Sequence, residues 1–99
     1  MDMLTSQQRR RLRSLANHLE PTVFVGKRGM TPEVIAAVEE NLDAHELIKV
    51  RFVELKDQKK ALTEAIAAQT HSHVAGIIGH VAILYREHTE PERTRISLD

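Results

Sequence analysis

The chain has no cysteine and no tryptophan, and its only aromatic residues are Phe24, Phe52 and Tyr85. Without cysteine, disulfide frameworks and thiolate metal sites are excluded. Three aromatics are too few for the stacking platforms of RRM or OB modules. Phe24 and Phe52 are accordingly expected in the core, with Tyr85 at its edge. No apolar stretch is long enough to span a membrane. The start, Met1 to Thr5, has neither a basic region nor an apolar run, so no signal peptide is expected and the reading is cytoplasmic. Net charge is absent too, with 14 Lys and Arg against 14 Asp and Glu.

What the chain does have is an uneven distribution of that charge. Residues 9–28 hold Arg9, Arg10, Arg11, Arg13, Lys27 and Arg28 against Glu20 alone, a net of +5, balanced by −5 elsewhere. A dipolar molecule with one basic end can steer a polyanion and stay soluble. Within that region lies the most informative stretch, Val23-Phe24-Val25-Gly26-Lys27-Arg28-Gly29-Met30-Thr31-Pro32-Glu33. It reads as a strand, a tight basic turn and a capped helix start. Gly26 and Gly29 suit positive φ and close approach by another molecule. Thr31 suits the N-cap and Pro32 the first helical position. The helix N-terminus, with its orphan N–H donors, is expected to add an anion site.

The rest of the chain supplies a frame. Thr5 and Gln8 form a capping box, and Leu12, Leu15, Ala16 and Leu19 make an apolar stripe ended by Pro21. Arg9, Arg10 and Arg13 fall within one arc beside that stripe and are expected to bind anions. A strand over 22–25 precedes a helix over 32–44. Residues 46–54 alternate in part as a second strand, with Lys49 and Arg51 facing outward. Asp57 is the expected cap of a third helix running to about residue 69, and Lys56, Lys59 and Lys60 around its first turn are a weaker candidate contact. Two further strands, 73–78 and 81–86, flank Gly79-His80, a pair suited to a type II′ hairpin. The expected order is α, β, α, β, α, β, β. Parallel pairing through right-handed crossovers and a final antiparallel pair give an α/β domain, an α+β two-layer stack on a mixed four-stranded sheet. Residues 1–88 are read as the domain and 89–99 as a flexible tail.

Several of these segments together resemble one family. Leu12-Arg13-Ser14-Leu15-Ala16 with Leu19-Glu20-Pro21, then Val25-Gly26-Lys27-Arg28-Gly29, then His45 to Val50, and Ile78-Gly79-His80 with Leu84-Tyr85-Arg86, occur in the order seen in bacterial stand-alone CRM domains of the YhbY-like group. The resemblance covers roughly residues 4–87. It implies an RNA-binding domain with a fold similar to the C-terminal domain of translation initiation factor three. It also implies a GxxG loop at Gly26, Lys27, Arg28 and Gly29, and association with rRNA in precursors of the large ribosomal subunit.

Other function classes are weaker on these residues. Gly26-Lys27-Arg28-Gly29 lacks the spacing and ending of a nucleotide-binding P-loop, and no nucleophile–base pair is visible, so no enzyme, cofactor or small-molecule substrate is expected. His71 and His73 are the only close histidine pair, short of the three or four ligands a zinc site needs. A ribosome-associated protein-interaction module, docking through its acidic faces without touching RNA, is the alternative. Binding of RNA shape and backbone, with little sequence preference, is the expected mode.

Overall fold

The computed structural model describes residues 3–90 and 95–98. Its elements are α1 (Ser6–Ala16), β1 (Val23–Val25), α2 (Pro32–Ala44), β2 (Leu47–Phe52), a 3-10 turn (Lys56–Gln58), α3 (Lys59–Thr70), β3 (His73–Ile78) and β4 (Val81–Tyr85). The sheet order is β1-β2-β4-β3. β1 and β2 are parallel, and β4 runs antiparallel to both β2 and β3. The expected mixed four-stranded sheet and element order are those observed. No helix among the described residues is long and apolar enough to cross a membrane.

Alternation along the strands divides the core in two. Val23, Val25, Ile48, Val50, Phe52, Ala82 and Leu84 turn to one face, where Val38 and Leu42 of α2 and Ile66 of α3 cover them. Leu47, Ala75, Ile83 and Tyr85 turn to the other face, against Leu12 and Ala16 of α1. The two-layer stack is therefore that of the α2–α3 face, and α1 adds a partial layer on the opposite face.

The capping box forms as expected: Gln8 N–H donates to Thr5 Oγ1 (3.1 Å) and Thr5 N–H to Gln8 Oε1 (2.9 Å). The helix stops earlier than Pro21 requires. The amides of Asn17, His18 and Leu19 turn back to the carbonyls of Ser14, Leu15 and Ala16, which tightens the last turn. Leu19 thereby leaves the stripe and is exposed. Asp57 does not cap α3. It sits inside the 3-10 turn, and Gln58 occupies the N-cap with no side-chain bond. The reason lies just upstream: Leu55 takes a left-handed φ of 56° and starts the coil early.

The C-terminal region differs from the loose tail expected from residue 89. Among its described residues, Ile96 and Leu98 pack against the α1 cluster. Arg11 Nε donates to Ser97 O (2.6 Å), and the Ile96 amide donates to Glu46 Oε1.

Candidate nucleic-acid interface

β1 and β2 are parallel, so both deliver their C-terminal ends to one end of the sheet. The β3–β4 hairpin turn lies there too, since Val81 pairs with Arg51 near the end of β2. Backbone bonds fasten the pieces: Phe52 N–H donates to His80 O (2.8 Å), and Val53 N–H to Val25 O (3.0 Å). The segment Gly26–Gly29, the 53–55 connection and the Gly79–His80 turn are thus neighbours by construction.

Gly26 to Gly29 is a single β-turn, closed by Gly29 N–H donating to Gly26 O (3.0 Å). Lys27 and Arg28 occupy its two corners and both are exposed. Their amides donate to no acceptor among the described residues. Two exposed cations thus stand beside two backbone donors that have no acceptor among the described residues.

The two glycines do different work. Gly29 has φ +70 and is buried, and a Cβ there would stand 3.3 Å from Leu55 Cδ1. Its conformation and packing account for it. Gly26 has no positive φ, and a Cβ would meet nothing within 4 Å. Nothing inside the protein demands glycine at 26. The expectation of positive φ at both positions is corrected to Gly29 alone.

The helix start behaves differently from the open anion site expected of it. Thr31 Oγ1 accepts from Val34 N–H (3.1 Å), Ile35 N–H reaches Thr31 O (3.0 Å), and Pro32 has no N–H. Glu33 adds a carboxylate to the first turn. The capped N-terminus of α2 positions the turn, and of its first-turn amides only Glu33 N–H has no acceptor among the described residues.

The arginines of α1 are drawn partly into the fold. Arg9 Nη1 donates to Leu4 O (2.7 Å) and its Nη2 to Ser6 Oγ (3.1 Å). Arg13 Nη1 donates to Ala75 O (2.9 Å), and its stem crosses β3 at Gly76, where a Cβ would lie 2.6 Å from Arg13 Cδ. Arg10 stands exposed. Arg9 and Arg13 hold the N-terminal arm and α1 in place, and no internal hydrogen bond links these three residues to the turn.

The weaker candidate contact, the lysines at the start of the third helix, forms a second cationic group at the turn's end of the sheet. Lys59 Nζ bonds the Gly79 carbonyl and lies 3.2 Å from His80 Nδ1. Desolvation, with the charges of Lys59, Lys56 and Arg51, lowers the His80 pKa below its ordinary 6.5. Lys60 lines a shallow groove with Lys59 and Gly79. The hairpin has the backbone of a type II′ turn, with positive φ at Gly79 and not at His80. A Gly-X hairpin facing a lysine-rich helix start was the available signal. None of Lys27, Arg28, Arg51, Lys56 or Lys59 pairs with a carboxylate among the described residues. Phe24 is also not in the core: it is 55% exposed, because its strand buries Val23 and Val25 on the other face.

Comparison with known proteins agrees with this frame. The model of the CRS1/YhbY (CRM) domain matches residues 4–86. The Pseudomonas aeruginosa protein named probable RNA-binding protein PA4753 is 35% identical over 91% of this chain and 88% of its own. The Bacillus subtilis protein named probable RNA-binding protein YqeI is 37% identical over 95% of this chain and 99% of its own. The solution structure of SAV1595 from Staphylococcus aureus, described there as a candidate RNA-binding protein, superposes with a TM-score of 0.80 at 37% identity. That likeness covers 91% of this chain and 95% of that one. The family model spans most of the chain and the relatives span nearly all of it, and this chain belongs to the CRS1/YhbY (CRM) domain family.

Proposed function

We propose that this protein is a non-enzymatic, cytoplasmic RNA-binding module. It grips the rRNA backbone through the Gly26–Gly29 turn and acts on precursors of the large ribosomal subunit. The observation that carries the reading is Gly26. Its lack of a side chain has no internal purpose, and it sits beside two exposed cations whose amides have no acceptor among the described residues. A bare backbone next to Lys27 and Arg28 suits a sugar–phosphate chain at close range, as KH-type loops do. The names of the relatives support RNA as the partner. The ribosomal assignment rests on the family resemblance. Arg10 and the free donors of Arg9 and Arg13 widen the footprint in this reading, as do Lys56 and Lys59.

The alternative, docking of a protein through acidic faces, draws less support. Glu39 and Asp43 are held by Arg86, and Glu46 by the His88 amide, so these carboxylates are already engaged.

A salt titration of RNA binding tests the proposal. Replacing Lys27 and Arg28 together by alanine should lower the slope of log K against log[salt] by roughly 1–2. An unchanged slope and affinity would remove the turn from the interface.

A further inference from the structure

α1 crosses only part of its face of the sheet. The last row it covers runs through Gly76, Ile83 and Lys49. Arg13 fills the space over Gly76, Ile83 is buried, and Lys49 Nζ reaches back to Leu19 O (2.9 Å). The next row toward the glycine turn is Ile78, Val81, Arg51 and Phe24. The register shows it directly: Ile78 pairs with Val81, Val81 with Arg51, and Arg51 with Phe24. One residue from each of the four strands thus lines up across the sheet, on the part of this face that α1 does not reach. Ile78 is 54% exposed and Phe24 55%, and Arg51 is exposed between them. Val53, just past β2, is 49% exposed.

Single exposed apolar side chains need no explanation. Two on one row are different, since exposed apolar side chains gathered among polar groups mark an interaction site. The rim here is cationic. Gly26 follows Phe24 by two residues, with Lys27 and Arg28 beyond, and Arg51 interrupts the row itself. A neutral apolar partner has no use for that charge, and a purely backbone-bound duplex has none for Phe24. A single-stranded nucleic acid uses both, through phosphates at the turn and an unstacked base on the ring.

We infer that the row Ile78–Val81–Arg51–Phe24 is a base-contact surface for single-stranded RNA, on which Phe24 stacks one nucleobase of the strand held at Gly26–Gly29. This rests on the RNA-binding reading above and adds a preference for unpaired RNA. It also replaces the expectation of pure backbone recognition. Phe24 is the one aromatic side chain in the row, so the surface reads one base, and Val81 and Ile78 form an apolar floor beyond Arg51.

The chain has no tryptophan, so Phe24→Trp installs a single reporter. The probes are a short oligoadenylate and a duplex of the same length. Phe24→Val removes the ring and puts a β-branched residue, well suited to a strand, in its place. Stacking is worth about 1–3 kcal/mol per base, so Phe24→Val should weaken oligoadenylate binding about tenfold, spare the duplex and leave the salt slope unchanged. Phe24→Trp should retain affinity and lose fluorescence on binding oligoadenylate. Unchanged oligoadenylate affinity for Phe24→Val, equal losses on both probes, or an unquenched signal from the introduced indole each overturns the base contact. If Lys27 and Arg28 still set the salt slope in those cases, the backbone clamp stands without it. Loss with Phe24→Val and none with the double alanine variant keeps the base contact and rejects the clamp.

Discussion

At the Leu47–Tyr85 end of the sheet, Arg86 reaches Glu39 (2.9 Å), Asp43 (2.8 Å) and the Thr70 carbonyl (2.9 Å). Buried Glu46 accepts from the amides of His88 (2.6 Å) and Ile96, and the His88 ring meets Leu42 O (2.8 Å). At the Phe52–Val81 end, Lys27, Arg28, Arg51 and Lys56 have no carboxylate partner among the described residues, and Lys59 is given to the hairpin turn. One end uses its charges to close the fold and the other leaves them facing outward. Unpaired like charges gathered at one place are unfavourable for the isolated protein, so the open end is where a polyanion brings the larger gain. Stability and binding should therefore separate spatially.

The sharpest way to break that comparison is Glu46→Ala. Two amides lose their acceptor, and an unsatisfied buried donor costs about 1–3 kcal/mol, so urea unfolding should show a loss of about 2–5 kcal/mol. RNA affinity of the folded fraction should not change. Arg86→Met at the same end removes a partly buried hub and should cost about 1–3 kcal/mol, again without effect on binding. Next come the paired glycines. Gly29→Ala places a side chain in the left-handed region, which costs about 1–2 kcal/mol in melting experiments. Gly26→Ala should shift stability by less than about 0.5 kcal/mol and still weaken RNA binding in the same titration. Equal effects of the two on binding and folding would dissolve the distinction drawn between them. The smallest effect concerns His80. Its NMR titration should fall below 6.5, and Lys59→Met should move the midpoint upward by removing the nearest charge.

Much of this frame was legible in the residues. The strand, turn and Thr31-Pro32 start could be placed because each uses local chemistry that few other conformations accept. The Gly79-His80 hairpin was legible for the same reason. The end of α1 was not, because Pro21 forbids continuation without saying where the helix stops, and tight terminal bonds stopped it at Ala16. Asp57 misled because a good capping residue was overridden by the left-handed turn at Leu55. Phe24 was misplaced by its chemistry, although period-two alternation with Val23 and Val25 already put it on the opposite face. Which row of that face stays open depends on where α1 crosses, and the crossing is fixed by Arg13 meeting Gly76, residues far apart in the chain. The partner of each arginine is equally non-local, so a run of four cations could not reveal that Arg9 and Arg13 brace the fold.

β1 is an edge strand of three residues, with one side of its backbone unpaired in the sheet. Such margins invite copies of a protein to zip together into fibrils. Here the margin is too brief to template much pairing, and it runs straight into Lys27 and Arg28, whose mutual repulsion would meet any second copy arriving in register. The cations that suit a polyanion also guard the protein against self-assembly.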